Sequence, residues 1–312
     1  MIVFATSDKG GTGRSVTSCN IAYRLCLSGQ SVVYADFDFG SPTAGALFEI
    51  SSVSRGVTGE TGLHSYLLGR NGTTTRLDVY ASTDRAALRR QRHRSGKLML
   101  IPGDAGGGEF LDANDPKIVE RCAGLLLGLE QRYTNCIVDL SAGRSMAMDL
   151  VLRATVLPHF RATRVCWLVF HRWTRQHILA ANGLVHGARG LLDNGAAYGH
   201  NPDTLLESVR FVRTAVPQVD THTGAVGGPQ AAWVQEQDAA LSTLASDNLL
   251  GESKVLGSTP VEPILQWREQ VILDADVTAE VANPATVTAF SGLAARLIDE
   301  ATWESVETPE AS

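Results

Sequence analysis

Ser7-Asp8-Lys9-Gly10-Gly11-Thr12-Gly13-Arg14-Ser15 follows the apolar run Ile2-Val3-Phe4-Ala5 and precedes Val16, Cys19, Ile21, Ala22, Leu25 and Cys26, apolar positions at helical spacing. The order is strand, glycine-rich turn, helix. Glycines let the backbone wrap closely, so that several N–H groups point at one anion. The helix N-terminus adds its partial positive charge. The general phosphate loop reads GxxxxGK[ST] in this setting. Here Asp8 takes the first position, Lys9 is an added cation, and Arg14 stands before Ser15. The stretch predicts a turn that grips a polyphosphate, with the Ser15 hydroxyl placed to ligate Mg²⁺.

Outward from the turn, strands alternate with helices. Apolar strands are predicted at 31–35, ending at Asp36, and at 97–101, stopped by Pro102-Gly103. Further strands are predicted at 135–140, 165–170 and 208–216. Helices are predicted at 15–28, 118–131, 174–189 and 285–302, the last with Val287, Phe290, Leu293, Ala294 and Leu297 on one face. Gly29 suits the left-handed turn that ends the first helix. This alternation predicts an α/β fold: a single-domain, mostly parallel sheet with helices on both faces. The stretch 50–96, rich in Gly, Ser, Thr and Arg, has the weakest periodicity and reads as an insertion or mobile segment.

Composition narrows the class. With 44% hydrophobic and 19% charged residues in 312, the chain has enough apolar content for a packed core and is not of the disordered kind. Its apolar runs are too short for a membrane span, and its first residues show no signal-peptide pattern, so a cytoplasmic location is expected. Cys19, Cys26, Cys122, Cys136 and Cys166 form no CxxC pair, which fits reduced, buried thiols. The net charge of −6 hides an asymmetry. Residues 201–312 hold 5 Lys+Arg against 17 Asp+Glu, whereas Arg85, Arg89, Arg90, Arg92, Arg94 and Lys97 follow one another with no acid between them. Three readings of that basic run stand side by side: a solvated loop, a patch contacting the phosphate backbone of DNA, or a protein-partner patch.

Two further segments carry carboxylates at the ends of apolar strands. Asp36-Phe37-Asp38-Phe39-Gly40-Ser41-Pro42 closes the second strand, and Cys136-Ile137-Val138-Asp139-Leu140-Ser141-Ala142-Gly143 has the hhhhDxxxG form of a Walker B strand. Lys9-Gly10-Gly11-Thr12-Gly13-Arg14-Ser15, followed in order by these two segments, resembles the deviant Walker A, DxD and Walker B motifs of the ParA/MinD family of P-loop ATPases. The resemblance extends to Lys97–Gly103, to Val255–Pro260 with Glu262-Pro263 and Arg268-Glu269, and to the final helix; it is poorest over 50–96. It implies one nucleotide-binding domain over residues 1–302, then an acidic tail at 303–312.

The resemblance also implies roles. Gly10, Gly11, Thr12, Gly13, Arg14, Ser15 and Val16 would hold the phosphates of ATP, and Gly143 would offer its N–H to the γ-phosphate. Ser15, Asp36 and Asp139 would form or support the Mg²⁺ shell, and Asp38 would orient the attacking water. Two chains would face each other across two nucleotides, each Lys9 reaching the phosphates held by the other, so that ATP state sets binding of a protein partner. The chain departs from the pattern at Arg14, where the family has lysine. A planar, forked guanidinium keeps the charge, but a displacement of about 1 Å costs on the order of a hundredfold in rate. Phosphate binding is therefore expected, and a subunit that binds without hydrolysing is the alternative. The asparagine with which the family reads adenine is missing from Val209–Thr214, leaving ATP and GTP both open, and the acidic tail is unlike the basic membrane helix that ends MinD proteins. His171, Arg172, Trp173 and Arg175 sit where α/β proteins form ligand sites and are read either as a solvated helix start or as an aromatic–cationic contact to a partner or a nucleotide.

Overall fold

A computed structural model describes residues 1–93, 95–108, 115–218 and 229–304 of the chain. Arg94 of the basic run and all but the first two residues of the acidic tail lie outside them.

Eight strands form one sheet: β1 (Ile2–Thr6), β2 (Val32–Phe37), β3 (Leu77–Asp78), β4 (Leu98–Ile101), β5 (Asn135–Leu140), β6 (Val165–Arg172), β7 (Val209–Val216) and β8 (Val255–Pro260), in the order β3-β4-β2-β5-β1-β6-β7-β8. Among the described residues, only β3 runs antiparallel to its neighbour. Side chains alternate along β1: Ile2 and Phe4 enter the core on one face, Val3 and Ala5 the core on the other. A strand buried on both faces is apolar over most of its length, which is why β1, β2 and β5 stand out in the sequence.

The first helix, α1 (Arg14–Leu27), buries nearly all of its length against β1, β2 and the helix Pro284–Ile298. Helices Pro116–Glu130, Met146–Thr155 and Arg175–His186 cover the opposite face. Asp115 and Ser145 cap two of them, accepting the N–H of Lys117 and of Met148. Parallel pairing sets β1, β2 and β5 side by side with their carboxyl ends on one edge. Asp36 lies in register with Asp139, which lies in register with Ala5. Residues separated by a hundred positions thus converge beside the turn that follows β1.

The expected elements are present with shifted ends. β2 reaches Phe37, so Asp36 is inside the strand, and β6 reaches Arg172, so His171 and Arg172 belong to the sheet and not to a helix start. The last helix stops at Ile298, before a short 3-10 turn at Glu300–Thr302. The stretch 50–96 carries several short helical turns and β3, and it seats Val53, Val57, Leu63, Leu67, Val79, Tyr80 and Leu88 in the cores. All five cysteines are buried and free. Among the described residues, no helix is long and apolar enough to cross a membrane.

Candidate phosphate site

The turn from Ser7 to Arg14 owes its shape to two glycines. Gly11 and Gly13 sit at φ +72° and +76°, the left-handed region that other residues adopt only with strain, and Gly13 is the N-cap of α1. Behind the turn, the Thr214 hydroxyl donates to the carbonyl of Thr12 at 2.5 Å and lies 3.2 Å from that of His171, fixing the loop to β7 and β6. In front of it is a cavity of about 270 Å³ bounded by Gly10–Val16, Asp38, Thr43 and Glu269. A second cavity of about 290 Å³ shares Gly11, Gly13 and Glu269 and continues past Thr17, Arg172 and Glu262. The two together run from the turn to the ends of β7 and β8, an elongated site of the size small ligands occupy.

Arg14 dominates the first cavity's floor. Its Nε donates to Asp139 Oδ1 at 2.5 Å, and Nη2 donates to Asp38 Oδ2 at 3.0 Å and to Ser15 Oγ at 3.3 Å. The arginine side chain is only 7% exposed and that of Asp139 3%. Burial by itself would lower the arginine pKa, but Asp139 and Asp38 outweigh it and hold the guanidinium above its ordinary value. Asp36 does not join this cluster. Its carboxylate accepts the N–H groups of Ala44 at 3.0 Å and Asp38 at 3.2 Å, and burial, with Asp139 next, pushes its pKa up to about 8.

The sequence-named residues therefore assemble, but not in the arrangement the resemblance implies. Gly10, Gly11, Thr12, Gly13, Arg14, Ser15 and Val16 all line the cavity. Lys9 is exposed beyond it. Gly143, at φ +80°, spends its N–H on the Ser7 carbonyl at 2.7 Å, joining the β5 loop to the phosphate turn and not to the cavity. Arg144 strengthens that joint, binding Asp8 at 3.2 Å and the Gly183 carbonyl at 2.6 Å. The trio expected around Mg²⁺ is not set out for a metal. The oxygens of Ser15 and Asp139 accept from Arg14, Asp36 holds two backbone N–H groups, and no cluster of three or more His, Cys, Asp or Glu side chains among the described residues is arranged to hold an ion. A guanidinium in contact with those oxygens does not fit a cation that needs bare oxygen ligands at about 2.1 Å.

Distant segments that were already quoted in the sequence complete the site. Glu269 and Arg172 border the cavities. Glu262 is buried, accepting from Thr286 Oγ1 at 2.6 Å and Asn283 N at 2.9 Å, and so orders the turn before the last helix. Trp173 donates to Asp238 at 2.6 Å and ties β6 to the helix Pro229–Asp247. The basic run is also partly structural. Arg85 binds Glu49, Asp276 and the Val271 carbonyl, and Arg89 donates to the Thr83 carbonyl, whereas Arg90 and Arg92 are exposed.

Comparison with known proteins agrees on the fold. No family model matches the chain. A 40-residue segment is 50% identical to the septum site-determining protein MinD of Helicobacter pylori, a match spanning 13% of this chain and 15% of that protein. Among solved structures, apo McdA of Cyanthece superposes with a TM-score of 0.59 at 15% identity, over 95% of this chain and 98% of that one. MinD complexed with Mg-ADP from Pyrococcus horikoshii gives 0.53 at 13% identity, over 96% of each chain. The chain has the fold of the ParA/MinD P-loop ATPases.

Proposed function

We propose that this chain is a nucleotide-binding member of the ParA/MinD family, a dimer switch driven by nucleoside triphosphate with slow hydrolysis. The observation that carries this reading is the left-handed glycine turn at the N-terminus of α1, which opens onto a cavity leading to the ends of β7 and β8. Several N–H groups, a helix N-terminus and Arg14 converge there on the space that a polyphosphate would fill. The fold shared with MinD and McdA supports the same assignment.

Within it, Arg14 binds phosphate oxygens from the floor of the cavity. Lys9, exposed on the turn, crosses to the phosphates of a second subunit and neutralises charge as the phosphoryl group leaves. Asp38, one oxygen on Arg14, keeps its other oxygen to orient a water. The dimer holds while triphosphate is bound and presents a surface to a protein partner. The ion pair between Arg14 and Asp38 favours a second reading, in which that carboxylate is held away from water and the subunit binds without turning over.

The test combines ATP affinity by calorimetry, ATP-dependent dimerisation by light scattering and phosphate release, for the unaltered chain, Lys9→Ala and Asp38→Ala. Binding and dimerisation, with release abolished by either substitution, supports the switch. Binding with release at background in all three supports the second reading. No affinity for ATP or GTP removes both.

A further inference from the structure

The oxygens gathered below the phosphate turn already have a cation. Ser15 Oγ from α1, Asp38 Oδ2 from the end of β2 and Asp139 Oδ1 from β5 converge on one guanidinium at 3.3, 3.0 and 2.5 Å. The side chain that supplies it is 7% exposed, so the pairing is made largely out of water. Resting on the nucleotide-binding reading above, we propose that Arg14 is the resident cation of this site, taking the place of a divalent metal between the carboxylates and the phosphates, so that the chain binds nucleoside triphosphate without Mg²⁺.

Three physical arguments meet here. The first is space. Asp139 Oδ1 and Ser15 Oγ, which an ion would need bare at about 2.1 Å, are already in contact with guanidinium nitrogens at 2.5 and 3.3 Å. The second is charge. A metal entering beside the guanidinium meets a buried positive group that two carboxylates hold protonated, and a strongly hydrated ion must shed water to do so. The third is donor geometry. Nε and Nη2 satisfy the three protein oxygens, while Nη1 makes no hydrogen bond among the described residues and belongs to a side chain that lines the cavity. A guanidinium carries five N–H donors in a fixed plane on three nitrogens and binds carboxylate and phosphate at once, whereas a lysine ammonium has three donors on a single nitrogen.

The test is ATP binding by calorimetry to the full chain, once with excess Mg²⁺ and once with EDTA, for the unaltered protein and for Arg14→Lys. The expected result is that removing the metal changes the affinity of the unaltered protein by no more than about threefold, while Arg14→Lys, its oxygens freed for a metal, weakens by about tenfold or more in EDTA. A larger loss in the unaltered protein overturns the proposal, and that pair of titrations decides it even if the variant does not fold. A folded Arg14→Lys as indifferent to EDTA as the parent also overturns it, because the independence would then not come from the guanidinium. Absence of binding in both buffers removes the nucleotide reading itself, a result distinct from metal dependence.

Discussion

Two arginines in this molecule are built alike and placed differently. Arg14 bridges Asp139 and Asp38; Arg85 bridges Glu49 at 3.3 Å and Asp276, and donates to the Val271 carbonyl at 2.7 Å. Both are largely buried. Around Arg14 the carboxylates come from the carboxyl ends of two central strands, and the guanidinium forms part of a cavity wall. Around Arg85 they come from a turn after β2 and a short helix near residue 276, and the guanidinium closes a seam between the 49–97 stretch and the segment before the last helix. Identical pairing chemistry thus makes a ligand site at the sheet edge and a fastening elsewhere. Parallel strand ends leave a crevice open to a ligand, whereas a seam between packed loops is already filled.

The largest effect that separates the two is expected at Arg14. Arg14→Ala leaves Asp139 and Asp38 side by side with no cation, and breaking a buried pair of this kind costs about 3–5 kcal/mol of stability. Because the same group meets phosphate, ATP affinity should fall by on the order of 10–100-fold as well, the equivalent of a charged hydrogen bond or two. Urea unfolding and calorimetry measure the two losses. Stability lost with affinity intact would make Arg14 a fastening like Arg85.

Arg85→Ala is the mirror of that variant. It should lower stability by about 3 kcal/mol, since Glu49 and Asp276 are each mostly buried, yet leave ATP affinity within about twofold. Restoring much of the loss with Asp276→Asn in the same chain would show that the uncompensated carboxylate, not lost packing, carries the penalty. An affinity change as large as that of Arg14→Ala would erase the distinction between seam and site.

The contrast also explains what the sequence did and did not disclose. Gly10, Gly11, Gly13 and Ser15 sit within one short stretch between a continuous apolar strand and an amphipathic helix, so local pattern alone locates the turn. Asp36, Asp38 and Asp139 were legible as carboxylates ending apolar runs. That Arg14 would hold Asp139, 125 positions away, was not, because the pairing is made by the order of strands in the sheet. Helix Pro229–Asp247 went unpredicted since only Ala245 along it is buried and no apolar face recurs. β8 was quoted as a motif but not as a strand, because Gly257 and Ser258 interrupt it at the sheet's edge. The helical turns and strand of 50–96 are too short for a period to register.

His171 shows the opposite fate of a buried base, one with no acid beside it. It is 1% exposed, flanked by Trp173 and Phe211, and the charged groups acting on it, Arg213 and His177, are basic. Burial, more than these neighbours, lowers its pKa to about 4 from 6.5. The folded state therefore keeps it neutral between pH 6.5 and 4, while the unfolded chain takes up a proton. Stability should fall as pH drops through that window and be unaffected by this group above it, with a contribution of up to ~1.4 kcal/mol per pH unit. His171→Phe should flatten the acid limb relative to the parent in urea titrations across pH 4–8; an unchanged difference would mean that the ring is charged when folded.

The smallest effect is expected where arginines have neither site nor seam. Arg90 and Arg92 are exposed, and the ion pair of Arg92 with Asp78 is long at 3.7 Å. Exposed pairs contribute about 0–1 kcal/mol, so Arg90→Gln with Arg92→Gln should shift unfolding by no more than about 0.5 kcal/mol and leave ATP binding alone. The same variant separates a solvated face from a nucleic-acid contact. Phosphate contacts release counterions, so a DNA-binding role predicts an affinity that falls steeply with salt and loses part of that slope when two arginines go. Among the described residues, Arg85 turns inward to protein acceptors and Arg89 donates to the Thr83 carbonyl, which takes two of the run's cations from the backbone grip. Fluorescence anisotropy on duplex DNA across a salt series should show weak binding that the substitutions barely alter; a slope that drops by about one unit per arginine would instead give this surface a ligand of its own.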